Sequence, residues 1–222
     1  MDNAEEHIKK EIKRSNRILN FDRRSWHRRD VAGVSTVNHL DLALNMIQSE
    51  NYEYLRGIKA SIKDKNLRVA GSLLRSLLES TANAHWLTQD KTGKRATRYI
   101  KSTEQFTEYV NKTGNKTTFT IDKLSREAST WTTSSAEDRI NFFSPQAGVV
   151  WDYCSIFTHA SPSYLALHQG LNKVLTYVIA QANTYALTAR LIIKESSSIY
   201  NVNEKKFLDK IAREVLKDLG MI

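Results

Sequence analysis

Asp152, Ser155 and His159 are a carboxylate, a hydroxyl and an imidazole set three and four residues apart. At about 100° per residue this spacing puts all three on one side of a helix. These are the groups of a nucleophile, a base and an orienting carboxylate, so acyl transfer is the first chemistry to weigh. The placement argues against it, because one regular helix offers neither a strained nucleophile turn nor an oxyanion hole, and no G-x-S-x-G is present. Metal chemistry has no sequence support: the six histidines are scattered, Cys154 is the sole cysteine, and H-E-x-x-H and paired E-x-x-H motifs are absent. No glycine-rich phosphate loop occurs. The reading therefore assigns no metal and no cofactor.

A second pair extends the chemistry. Arg75 and Glu79 stand four apart on a stretch whose other side is apolar. If the two stretches pack together, Arg75 holds a phosphate and His159 serves as general acid or base. Asp152 or Glu79 then orients the imidazole, and Ser155 or Ser161 donates to a phosphate oxygen. RNA cleavage needs little more, since RNA supplies its own 2′-hydroxyl nucleophile. The competing reading of the same groups is a buried polar network that fixes helix register. Arg23 and Arg24 beside Trp26 form a further strip, readable as phosphate contacts with a stacking ring or as a solvated face that pairs with acidic neighbours.

The elements that must position these groups read as helices. Between Arg139 and Lys173 the only formal charge is Asp152, in a chain that is 26% charged, so this run is expected at the centre of the fold. Pro145 is placed to open its helix, and Ser161-Pro162-Ser163 to end it. A helix over 66–87 presents Ala70, Leu73, Leu74, Leu77, Thr81 and Ala84 as one face. Further helices are expected at 2–19, from about 35 through 47, at 52–63, 94–109, near 121–128, at 171–194 and at 203–219. The second and third of these are also readable as one long helix.

With two prolines, eight glycines and little strict alternation among 222 residues, the expectation is an all-α chain. It is read as a single helical-bundle domain of seven to nine helices over 1–222. Within it, 1–34 is a basic N-terminal helix and arm, 35–195 the core bundle, and 203–219 a C-terminal amphipathic helix. The lone cysteine fits a reducing compartment, and no secretory signal is visible, so a cytoplasmic location is expected. Residues 174–188 carry no formal charge but are short and polar-interrupted, which reads as a core helix rather than a membrane span. A net charge of +9 suggests RNA or another anionic ligand. Nine Lys or Arg against three acidic residues make 91–126 the most basic segment, and its interleaved aromatics suit single-stranded nucleic acid.

Arg75-Ser-Leu-Leu-Glu79, followed by Tyr153-Cys-Ser-Ile-Phe-Thr-His159-Ala-Ser161, resembles a group of uncharacterised bacterial helical proteins similar to HEPN-like domains. The resemblance covers roughly residues 35 to 195. It implies an all-helical, often dimeric protein of phage defence, toxin–antitoxin or stress-response systems, frequently a metal-independent ribonuclease. It makes His159, Arg75, Glu79, Asp152 and Ser155 the catalytic candidates. Tyr153 and Ser161 become substrate-binding ones, to which the strip read above, outside this span, adds Arg23, Arg24 and Trp26. A homodimer and an antitoxin or other partner protein are implied as well. The HEPN hallmark is arginine, four to six residues, then histidine, whereas this chain has Asp152, Tyr153 and Cys154 at that spacing. The alternative is a non-catalytic helical module that binds a protein partner or small ligand.

Overall fold

The computed structural model describes residues 2–31, 39–113, 132, 134–158 and 202–218. Among them are seven helices and no strand: α1 (Asp2–Val31), α2 (His39–Lys63), α3 (Leu67–Thr88), α4 (Lys94–Thr113), α5 (Ala136–Phe143), α6 (Pro145–Thr158) and α7 (Val202–Asp218). The all-α expectation holds for these residues. Of the helices expected from sequence, those near 121–128 and at 171–194 lie outside the described residues. No helix among the described residues is long and apolar enough to cross a membrane.

The structure corrects the sequence reading at the N-terminus and at α5, a helix that reading does not include. The arginine-rich stretch after residue 19 is not an arm but the continuation of α1 as far as Val31. Arginine is a good helix former, and no proline or glycine interrupts the chain before Gly33. Of the two readings left open for residues 39–63, the structure has the single helix, because Ser49 and Asn51 do not break it: Ser49 Oγ donates back to Asn45 O at 2.9 Å and stays exposed.

The helix ends have local causes. α2 ends at Lys63; two residues on, Lys65 has a left-handed φ of 57°, and Asn66 N–H donates to Ser61 O at 2.7 Å in a Schellman-type closure. Asn66 in turn caps α3, its side chain accepting from Val69 N–H at 3.3 Å. Ser135 and Asp138 form a reciprocal capping box on α5. Pro145 occupies the first position of α6, where its missing N–H has no helical partner to lose.

α3 is the central element, packed on α2 along one side and on α5 and α6 along another, with α1 and α4 against α2. The main core joins Leu55 and Ile58 of α2, Ala70, Leu74, Leu77 and Leu78 of α3, Ile140 of α5, and Cys154 and Phe157 of α6. A second cluster seats Leu44 and Ile47 of α2 on Leu87 of α3 and Ile100 of α4. A third pairs Ile18 and Phe21 of α1 with Leu208 and Ile211 of α7. Polar side chains also enter the interior: Gln48 donates to Ser15 at 3.0 Å between α2 and α1, both buried.

The candidate site along the polar row of α3

One face of α3 carries Arg68, Ser72, Arg75, Glu79, Asn83 and Trp86, spaced three or four apart so that they form a single row. α6 and α5 run along this row, and nearly every member meets a group from them. At one end, Arg68 Nε donates to Phe157 O at 3.3 Å, and the Ser72 hydroxyl lies 3.3 Å from the same oxygen and 3.1 Å from Arg68 O. Carbonyls of a helix's last turn have no partner within the helix and carry its negative dipole end, so arginine is favoured there.

Arg75 comes next. Its Nη1 donates to Thr158 Oγ1 at 3.0 Å, its Nε lies 3.2 Å from Glu79 Oε1, and its guanidinium carbon sits 4.4 Å above the Trp151 ring. The Nε contact is an ion pair without hydrogen-bond alignment, and Glu79 Oε1 also accepts from the Trp151 indole N–H at 2.7 Å. Arg75 and Glu79 are half-buried, between the solvated pair and the buried pair that the sequence leaves open. Farther along, Arg139 of α5 donates from Nε to Asn83 Oδ1 at 2.7 Å and from Nη1 to Ser134 O. Burial of Arg139 pulls its guanidinium below its usual range, and the carboxylates of Glu79 and Asp138 oppose that shift. At the far end Phe142 of α5 meets Trp86 edge-on, with centroids 5.5 Å apart.

Of the described residues expected to do chemistry, only Arg75 and Glu79, neighbours on α3, are in contact with each other. Both meet α6, through Thr158 and Trp151. Thr158, which Arg75 holds, is the residue before His159; His159 and Ser161 themselves lie outside the described residues. The expectation that Asp152 is buried is corrected: it is exposed, and no described residue bonds to it. α6 is apolar nearly all round, so its one charge goes to the outer side. Ser155 is half-buried with its hydroxyl donating to Trp151 O of its own helix at 3.0 Å, and no hydrogen bond joins it to Asp152. Tyr153 packs edge-on against Phe157, 5.7 Å between centroids, and burial raises its phenol pKa. Arg23 and Arg24 are exposed on α1, Arg24 bonding back to Asn20 O at 3.2 Å, and the Trp26 side chain lies outside the described residues.

Sequence reasoning missed Trp151, Thr158, Arg68 and Ser72. A signal for them exists: Trp151 and Thr158 stand seven apart on α6, matching the Arg68, Ser72, Arg75, Glu79 row on α3. Among the described residues no group of three or more His, Cys, Asp or Glu is placed to hold a metal ion. Compared with protein-family models, curated proteins and solved structures, the chain matches none.

Proposed function

We propose that the protein acts on RNA as a HEPN-like defence or stress-response factor of the cytoplasm, working without a metal. In this reading Arg75 holds the scissile phosphate and His159 is the general acid or base. One observation carries it: Arg75 Nη1 reaches Thr158 Oγ1 at 3.0 Å, so an arginine from α3 stands at the residue adjoining His159. The arginine of this reading comes from α3, far in sequence from His159, where the resemblance has both on one motif. Arg68 adds a second guanidinium at the same helix end. Two cations at one half-exposed place favour an anionic ligand with phosphate geometry. A homodimer held in check by an antitoxin or other partner protein belongs to the same reading.

A different observation favours the non-catalytic module. Arg75 is already engaged by Thr158, Glu79 and Trp151, a lock that fixes α6 on α3 with no ligand required. Incubation with total RNA in EDTA separates the two. Cleavage by the wild type that drops on the order of a hundredfold or more in His159→Ala supports the ribonuclease. If the wild type leaves RNA intact and His159→Ala only lowers the melting temperature, the module reading stands.

A further inference from the structure

The far end of the α3 row is chemically unlike the Arg75 end. Phe142 is 54% exposed, an unusual position for a phenylalanine in a chain with a full core. Its ring is braced from below by His85, 5.4 Å between centroids, and by Trp86 at 5.5 Å. Arg95 lies over the Trp86 ring at 3.7 Å and donates from Nη1 to Trp86 O at 2.9 Å, which fixes both planes. From Arg95 the surface passes to Lys94, Arg98 and Lys101, exposed and spaced four and three apart as one stripe of α4. The stripe runs about 10 Å along the helix axis at 1.5 Å per residue. Asp90, four residues before Lys94, does not neutralise it by side-chain pairing: its oxygens accept from Thr92 and from Arg95 N–H. The side chain of Glu104, three residues after Lys101, lies outside the described residues.

We propose that this corner is a binding surface for single-stranded RNA, with Phe142 stacking on an unpaired base and the Lys94, Arg98, Lys101 stripe holding the backbone phosphates. The proposal deepens the reading that RNA is the ligand and does not depend on whether His159 cuts it. Single strands fit better than duplex, since a duplex keeps its base faces stacked internally and leaves a protruding ring nothing to stack on. An acidic protein surface would satisfy the cations, but it gives no reason for a rigid exposed ring beside them.

The test is fluorescence anisotropy in EDTA with a short, labelled, 2′-O-methylated single-stranded oligoribonucleotide, which cannot be cut through its own 2′-hydroxyl. Phe142→Ala is expected to weaken binding roughly tenfold, as loss of one stacked base does. Lys94→Gln with Arg98→Gln is expected to flatten the salt dependence, each lost phosphate contact lowering the log–log slope by about 0.7. Lys210→Gln, exposed on α7, leaves both unchanged. Circular dichroism melts confirm that the variants fold. Wild-type binding that none of the α4 and Phe142 variants weakens overturns this surface while leaving RNA as the ligand. Tighter binding to a duplex, or binding of polyglutamate in place of RNA, also overturns it. Absence of any RNA binding removes this surface and the RNA reading together.

Discussion

The guanidinium of Arg75 lies 4.4 Å above the ring of Trp151, while the indole N–H of that same tryptophan is bonded to the carboxylate paired with Arg75. Three contacts thus share one small triangle between α3 and α6. A cation over tryptophan contributes about 0.5–1 kcal/mol when exposed and about 2 kcal/mol when desolvated, and the half-buried setting lies between. The triangle is therefore a fastening for α6 whatever else Arg75 does.

Glu79 is the member whose removal tests the fastening. Glu79→Ala leaves a half-buried indole N–H without an acceptor and Arg75 without its counter-charge. Because Glu79 is about a third exposed, solvent screens much of the ionic part. A loss of about 1–2 kcal/mol in urea-unfolding free energy is expected, nearly all from the stranded donor. Glu79→Gln keeps an acceptor and should recover more than half of it. Equal losses in both variants would mean that charge, not the indole hydrogen bond, holds α6.

The α3–α6 contact also sets the sign of a glycine substitution. Gly to Ala inside a helix ordinarily stabilises by about 0.5–1 kcal/mol. At Gly71 an added Cβ would stand 2.6 Å from Cγ and Cδ2 of Phe157, a ring that is fully buried. Gly71→Ala should therefore destabilise by about 1–3 kcal/mol through overpacking. At Gly57 the nearest atom is the Cδ1 end of half-buried Leu73, at 2.7 Å, and that methyl can turn aside. Gly57→Ala should be near neutral or slightly stabilising. Urea midpoints moving in the same direction for both would contradict this packing.

The contrast between these helices shows what the sequence makes legible. α3 has a sharp apolar face, so Leu74, Leu77, Thr81 and Ala84 were expected in the interior and are buried there. Pro145 marks its helix start through local chemistry, whereas α5, capped by Ser135, is not among the helices the sequence reading expects. α6 is apolar on nearly every side, so periodicity does not identify its outer face, and Asp152, expected inside, lies outside. The contacts of Trp151 were hidden for another reason: its acceptor, Glu79, is 72 residues away, and nothing in a lone tryptophan announces a distant carboxylate. Arg75 and Glu79 were visible because their partnership is local, four residues apart on one helix.

His85 provides a pH dependence with a definite sign. Burial alone lowers its pKa from the usual 6.5. The unfolded chain therefore binds a proton more readily than the folded one, so this contribution to stability is complete above pH 6.5 and is lost as pH falls through the folded pKa. Asp90, held down to about 2, and Asp138, below its usual 3.8, act only at lower pH. The melting temperature should fall between pH 7 and pH 5, and His85→Gln should make that fall shallower. An unchanged slope in the variant would assign the dependence to other histidines.

Cys154 offers a direct readout of α6 itself. The side chain is fully buried in the main core, and desolvation pushes its thiol from the usual 9.0 up to about 12, against a smaller opposing pull from Arg75. Only the thiolate attacks a disulfide reagent, and at pH 8 it is on the order of one part in ten thousand of the folded population. Native protein should therefore resist Ellman's reagent, while protein in urea reacts at the rate of an ordinary thiol. Because Cys154 is the sole cysteine, the slow native rate measures opening of α6 from α3. Glu79→Ala should raise that rate several-fold by loosening the Trp151 contact, whereas Gln89→Ala, at the exposed end of α3, should leave it unchanged. Rapid labelling of the native wild type would mean that the α3–α6 interface opens freely and that the Arg75, Glu79 and Trp151 triangle does not fasten it.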